Sequence, residues 1–285
     1  MRVYVPATSA NLGPGFDCVG IAWKCFDEFD FSVSDHVEIT GCPIEYCNEE
    51  NLAYKGYAAA MRYRGKEAVP VRIEFVKSDI PIARGLGSSA ALRVGGIFGA
   101  NELFGLDLSR EEMLDIATEL EGHPDNVAPA IYGGFTASVY VEGKAATSIF
   151  PVHSGWRFTA FIPDYELKTS LARSVLPTVY SRADAVQNIG CTAMLFKAME
   201  TGDRSFLRYA LRDRIHEPYR RSLIPEYAGV EELVSDAGGD GVCISGAGST
   251  LLCFSDADAQ KRILEEGRKK YPNWTVQPLE IFIAD

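Results

Sequence analysis

The chain has 285 residues, a formal net charge of −11 and 47% hydrophobic residues, enough apolar side chain for one large core or two ordinary ones. So acidic a balance argues against nonspecific binding to nucleic acid or to an anionic membrane surface. No stretch of about 18 apolar residues occurs. The opening Met1-Arg-Val-Tyr-Val-Pro6 lacks the apolar segment of a secretory leader, and seven cysteines without paired metal-knuckle spacing point to reduced thiols in the cytoplasm.

Residues 2–5 read as a short strand, and alternation over residues 26–39 predicts one or two more. Residues 51–64 have helical character, residues 71–76 return to strand, and a helix is expected over residues 89–104. Ser109-Arg-Glu-Glu112 is a capping box, a hydroxyl and a carboxyl placed to satisfy each other's backbone N–H groups, and it opens a helix over residues 110–121. His123-Pro-Asp-Asn126 interrupts the chain before residues 127–132, and residues 134–141 with 146–152 read as a hairpin. After Ser154-Gly155 the order restarts with a strand over 157–162 and helical segments through much of 168–237. Strands over 242–245 and 251–254 flank Gly246-Ala-Gly248, a helix covers 256–271, and a last strand spans 275–283. Mixed blocks of strand and helix favour an α+β fold over a doubly wound parallel sheet. The expected division lies near residues 150–160, giving an N-terminal unit of residues 1–155 and a C-terminal unit of residues 156–285.

The most informative stretch is Ile80-Pro-Ile-Ala-Arg-Gly-Leu-Gly-Ser-Ser-Ala-Ala91. Gly85 and Gly87 let backbone approach an anion closely, Ser88 and Ser89 add hydroxyls, and the helix that follows leaves its first N–H groups unpaired. A chain of charge −11 needs such a local device to hold a polyphosphate. A Walker A loop is excluded, because no Gly-Lys-Ser/Thr follows. A dinucleotide-binding turn fits weakly. Pro81 separates strand from turn, and Glu102 and Asp107 lie in or just after the helix rather than at the end of a second strand. An ordinary glycine-rich start of a helix is the third reading.

The segment Pro81-Ile-Ala-Arg-Gly-Leu-Gly-Ser-Ser-Ala-Ala91 resembles the ATP-binding signature of the GHMP kinases. Val5-Pro-Ala-Thr-Ser-Ala-Asn-Leu-Gly-Pro-Gly-Phe-Asp-Cys-Val-Gly20 is similar to the N-terminal motif of the homoserine kinases within that superfamily. Glu119-Leu-Glu-Gly-His-Pro-Asp-Asn-Val-Ala-Pro129 resembles their middle motif, and residues 241–252 the superfamily's C-terminal glycine motif. The resemblance spans nearly the full length. It implies a ribosomal-protein-S5-like N-terminal domain, a ferredoxin-like C-terminal domain and an active site between them. It also implies transfer of the ATP γ-phosphoryl group to the side-chain hydroxyl of L-homoserine, a step toward threonine, in a cytoplasmic homodimer. Kinase action on another small alcohol, or nucleotide binding without catalysis, are the alternatives.

The resemblance places ATP along Pro81, Ile82, Ala83, Arg84, Gly85, Leu86, Gly87, Ser88, Ser89, Ala90 and Ala91. Arg84 reads either as a phosphate contact or as a solvated arginine. Phosphoryl transfer also calls for Mg²⁺, held by one or two carboxylates. Glu119 and Glu121 point about 200° apart on a helix, and Glu121 lies nearer the apolar face of Met113, Leu114, Ile116, Ala117 and Leu120. The family's magnesium glutamate maps onto Glu121, helped by Ser89. A substrate carboxylate suits arginine forks. Leu171-Ala-Arg-Ser-Val-Leu-Pro177 and His216-Glu-Pro-Tyr-Arg220 resemble the segments that supply them, which nominates Arg173 and Arg220, with Thr169 as a lesser contact. Asn11, Asp17, His123, Asn126 and Gly246 complete the implied acceptor pocket. Asn126 stands where many relatives have aspartate, so direct attack by a hydroxyl that Asn11 and Asn126 orient is the expected chemistry, with no strong base. His123 reads as a proton shuttle or a helix cap, and Asn51 as an adenine contact or an N-cap. Three residues depart from the pattern: Arg93, Cys243 and Ser249. A buried Arg93 must reach a carboxylate, reach a phosphate or turn to solvent.

Overall fold

The computed structural model describes residues 1–284. Ten strands form two sheets. The first holds β1 (Arg2–Asn11), β2 (Gly15–Val33), β3 (Glu38–Thr40), β4 (Val71–Ser78), β5 (Phe135–Val141) and β6 (Lys144–Phe150) in the order β3-β4-β2-β5-β6, with β1 also paired to β2. The second holds β7 (Arg157–Ile162), β8 (Gly241–Ile244), β9 (Leu251–Ser255) and β10 (Thr275–Leu279) in the order β10-β7-β9-β8. The helices are α1 (Leu52–Tyr63), α2 (Ser88–Phe104), α3 (Arg110–Glu121), α4 (Val127–Tyr132), α5 (Thr169–Ser174), α6 (Arg182–Thr201), α7 (Arg204–Ala210), α8 (Glu217–Arg220), α9 (Tyr227–Asp236) and α10 (Ala257–Lys270). This is an α+β arrangement.

The hub of the first sheet is β2, 19 residues long, which pairs antiparallel with β1, β4 and β5. Its core side chains, among them Ile21, Trp23, Phe29 and Phe31, are fully buried with α1, α2 and α3 in one apolar cluster. Helix α2 lies so close to α1 that a Cβ on Gly96 would sit 1.9 Å from the Ala53 carbonyl oxygen. That contact fixes the axis of α2 and aims its N-terminus at the cleft. The capping box of α3 forms as the sequence predicts: Ser109 Oγ accepts from Glu112 N–H at 3.2 Å, and Glu112 Oε2 accepts from Ser109 N–H at 2.9 Å. Such a cap contributes about 1 kcal/mol.

The first strand runs to Asn11, well past the predicted residues 2–5. Residues 5–11 are buried without alternation, so the period-2 signal is missing there. Strand β10 ends at Leu279 rather than continuing to residue 283. The chain instead crosses back to the first sheet, where Phe282 N–H donates to the Ala22 carbonyl at 3.0 Å and Gly134 N–H to the Phe282 carbonyl at 2.7 Å. The second sheet packs Phe158 and Phe254 toward Trp23 in the shared core, and its other face buries Phe161, Val242 and Leu251 under α9 and α10. A hydroxyl link joins the two sheets: Trp23 Nε1–H donates to Ser9 Oγ at 2.8 Å, and Ser245 Oγ–H donates to Ser9 Oγ at 2.7 Å.

Candidate active site

Loops from both halves converge on one cleft. They are the turn between β1 and β2, the glycine run before α2, residues 122–126 between α3 and α4, α5, the end of α8, and the turn between β8 and β9. The backbone requires glycine at two points of the glycine run. Gly85 and Gly87 have φ of 78° and 75°. A Cβ on Gly85 would lie 2.2 Å from the Ser245 carbonyl, and one on Gly87 would lie 2.0 Å from Thr8 Oγ1. The run is therefore clamped between β1 and the β8–β9 turn, and Ser88, Ser89 and Ala90 open α2 with unpaired N–H groups at the cleft.

At this nucleotide-like end, Ser89 Oγ–H donates to Glu121 Oε2 at 3.1 Å. Glu121 ends α3 and lines the cleft, whereas Glu119 is exposed elsewhere. Arg93, three residues into the helical interior from Ala90, sends Nη1 to both the Ser89 hydroxyl and Glu121 Oε2. Of the three fates the sequence leaves open for Arg93, the carboxylate is the one observed. Ser89 Oγ and Glu121 Oε2 are hard oxygen donors side by side, a set that suits Mg²⁺ with phosphate oxygens and water completing the shell.

The opposite end is rich in arginine. Arg173 Nη2 and Nη1 donate to Asp17 Oδ1 and Oδ2 at 2.7 and 3.1 Å, a two-pronged pair across the two halves of the chain. Burial opposes the Arg173 charge, but the bond to Asp17 and its charge outweigh it and raise the guanidinium pKa. Arg220 is 1% exposed and meets no carboxylate. It donates from Nε to the Ala172 carbonyl at 3.1 Å, and from Nη1 to the Gly246 carbonyl at 3.1 Å and to His216 Nδ1 at 3.3 Å. Burial first, and then the Arg173 charge, lower its pKa. Burial likewise pushes His216 down to about 4, so its ring is neutral. Nε2–H then donates to the Gly13 carbonyl at 2.8 Å, which leaves Nδ1 as the acceptor Arg220 needs. Phe16 lies under both guanidiniums, 5.6 Å from that of Arg173 and 5.2 Å from that of Arg220, and stacks on His216.

Between the ends sit His123, Asp125 and Asn126. His123 Nδ1 is bonded to Asp125 Oδ1. Burial works against a charged ring, but that bond and the Asp125 charge outweigh it and raise the His123 pKa. Asn126 Oδ1 accepts from Thr8 Oγ1–H at 2.8 Å, and its Nδ2 donates to Asp125 Oδ1 at 3.4 Å with its second N–H left over. Asn11 donates from Nδ2 to the Gly246 carbonyl at 2.8 Å and accepts the Asp17 N–H on Oδ1 at 2.9 Å. Three carboxylates (Asp17, Glu121, Asp125) thus face three guanidiniums (Arg93, Arg173, Arg220), a local balance in a strongly acidic chain.

The cleft gathers Asn11, Asp17, Ala83, Gly85, Gly87, Ser88, Ser89, Ala90, Glu121, His123, Asn126, Thr169, Arg173, Arg220 and Gly246. The other residues singled out in the sequence lie outside it. Asn51 caps α1, accepting from Ala53 N–H at 2.9 Å and donating to the Tyr46 carbonyl at 2.9 Å. Arg84 turns away and donates to the carbonyls of Pro163 and Asp164, so it is neither at the cleft nor simply solvated. Leu86 and Ala91 are core residues, Ile82 is exposed, and Pro81 lines a separate cavity with Arg84 and Leu86. Sequence reasoning missed Asp125, Phe16 and His216. All three stand inside motifs already named, where an acid, an aromatic and a histidine beside pocket residues were the available signals.

The family model for the GHMP kinases N terminal domain matches residues 51–134, and that for GHMP kinases C terminal matches residues 194–273. The homoserine kinase of Clostridium botulinum (strain Okra / Type B1) is 40% identical over 285 residues, covering 99% of this chain and 96% of the relative. That of Thermosynechococcus vestitus is 41% identical over 290 residues, covering 96% and 93%. The crystal structure of homoserine kinase from Cytophaga hutchinsonii superposes with a TM-score of 0.87 at 30% identity, covering 99% of this chain and 94% of that one.

Proposed function

This chain belongs to the GHMP kinase family, and we propose that it transfers the γ-phosphoryl group of ATP to the side-chain hydroxyl of L-homoserine, giving O-phospho-L-homoserine on the route to threonine. The observation that carries the reading is the acceptor end. Arg173 and Arg220 offer two forks for one carboxylate, and Asp17 stands beside them as the acceptor for an ammonium. An amino acid of homoserine's length has its charged groups there, and its hydroxyl then lies toward the glycine run.

The N–H groups at the start of α2 hold the phosphates. Ser89 and Glu121 would hold Mg²⁺ brought in with the nucleotide, and the ion would supply charge neutralisation. The hydroxyl is oriented by the amide N–H groups of Asn126 and Asn11 that their structural bonds leave over, and it attacks directly. The bond from the hydroxyl oxygen to the γ-phosphorus forms as the bond to the ADP oxygen breaks, ADP leaves, and the hydroxyl proton passes late to an oxygen of the transferred phosphoryl group, so no strong base is required. Thr8 keeps the Asn126 amide in its orientation, and His216 keeps Arg220 in place. Residues 1–155 form the nucleotide-binding unit, and residues 156–285 supply Thr169, Arg173, Arg220 and Gly246. The enzyme is a cytoplasmic homodimer that needs neither membrane nor nucleic acid.

The test is a panel. ADP release is measured with ATP, Mg²⁺ and homoserine, mevalonate, pantoate or serine in turn. Release with homoserine is expected to exceed the others by orders of magnitude. Release with another alcohol but not with homoserine overturns the substrate, and no release with any of them overturns the enzyme.

A further inference from the structure

Arg93 is the one guanidinium of the cleft, among the described residues, that the reaction above does not use. Its Nη1 donates to Ser89 Oγ and Glu121 Oε2, and also to the Ser89 carbonyl at 3.4 Å. Both side chains of the pair are mostly buried, 17% exposed for Arg93 and 12% for Glu121. The location explains why a cation is wanted. Glu121 is the last residue of α3, where the helix's final carbonyls already concentrate negative charge, so its carboxylate is poorly placed without a positive partner. The chain supplies that partner from the preceding helix, α2.

The oxygens Arg93 occupies are the two assigned above to Mg²⁺. Glu121 Oε2 already accepts from both Ser89 and Arg93, and a guanidinium charge held against it repels a second cation, so Arg93 and a metal compete for the pair. Arg93 has a way out: its Nε and Nη2 have no partner among the described residues, and it lines the wide outer mouth of the cleft with Asp17, His123 and Thr169. A free divalent ion that displaced it would strip a mostly buried guanidinium of its carboxylate partner, and Asp17 at the mouth is already taken by Arg173. A metal that arrives with a polyphosphate brings that counter-charge along.

We propose that Arg93 is a tethered cation that closes the Ser89–Glu121 pair to free divalent metal and gives way only to metal delivered with a polyphosphate. The inference rests on the reading of Ser89 and Glu121 as metal ligands. The probe is Mn²⁺ alone, titrated into the nucleotide-free full chain and followed by its paramagnetic resonance signal. If the closed pair is the dominant state, neutral variants Arg93→Met and Arg93→Gln bind Mn²⁺ at least about tenfold more tightly than wild type, because apparent affinity scales with the open fraction. The gain disappears in Arg93→Met combined with Glu121→Gln. Equal affinity in wild type and both folded neutral variants overturns the proposal, as does a gain that survives the loss of the Glu121 charge. Should neither neutral variant melt cooperatively, the wild type decides. Mn²⁺ binding only in the presence of a non-hydrolysable ATP analogue supports the proposal, and stoichiometric binding of Mn²⁺ alone overturns it. ADP release with homoserine, measured on the same wild-type sample, separates the two readings. Its absence alongside a Mn²⁺ gain sinks the kinase assignment, and its presence without a gain sinks the role of Arg93.

Discussion

The two ends of the cleft are each closed by an arginine–carboxylate pair, and the pairs are built differently. Arg93 and Glu121 come from neighbouring helices of the first half, share one guanidinium nitrogen, and are 17% and 12% exposed. Arg173 and Asp17 come from opposite halves, meet through two prongs, and are 37% and 31% exposed. Removing one partner of a buried pair strands a charge and costs about 3–5 kcal/mol, whereas a half-exposed pair contributes about 1 kcal/mol or less. The nucleotide end is therefore shut firmly and from within one rigid packing unit. The acceptor end is shut loosely, by a bond that spans the cleft.

The variant with the largest expected effect is Glu121→Gln. Loss of the carboxylate is expected to lower turnover at saturating substrates by about a thousandfold, with little change in the KM for homoserine. A fall in homoserine affinity without a fall in turnover breaks the division between the ends. Next come the two acceptor arginines. Charge-assisted bonds contribute about 1.5–3 kcal/mol each, so Arg220→Met, which removes a buried cation with no carboxylate partner, is expected to raise the KM for homoserine about a hundredfold. Arg173→Met is expected to raise it only about tenfold, because that cation is half exposed and already paired. Steady-state kinetics with ATP held at saturation measures both, and the reverse order contradicts the burial argument.

The smallest effect concerns Asp125→Asn and is read by stability. The His123 pKa lies above its ordinary 6.5 because Asp125 favours the charged ring. A raised histidine contributes stability that is fully present below 6.5 and is lost as pH rises through the folded-state value. Asp125→Asn is expected to flatten that loss in melting curves recorded from pH 6 upward, and an unchanged slope removes Asp125 as the cause.

Much of the nucleotide end is legible in the sequence, because its determinants are local. The capping box starts α3 at Arg110, the left-handed Gly122 ends it after Glu121, and Gly85 and Gly87 mark the turn that starts α2. The acceptor end is legible only by resemblance. Arg220 depends on His216, whose tautomer is set by a carbonyl at Gly13, 203 residues away in the chain. No periodicity encodes such a contact. Asn51 shows the opposite limit: an asparagine before a helix has a sufficient local explanation as a cap, and in the structure its Oδ1 caps α1 while its Nδ2 ties the preceding turn at the Tyr46 carbonyl. Arg84 sits within the most informative run, yet its guanidinium serves to tie that run to carbonyls about 80 residues on.

The return of residues 280–283 to the first sheet sets an order of events during synthesis. Ile281 bridges to Trp23 and Ile283 to Gly133, immediately after the helix that carries Asn126 at its start. The N-terminal sheet is therefore not complete while the ribosome is making the second half. Its pairings with residues 280–283 wait until those residues have left the exit tunnel, and such distant closures are slow. A chain that has not yet reached residue 280 therefore carries the residues of both ends of the cleft before its first sheet is complete.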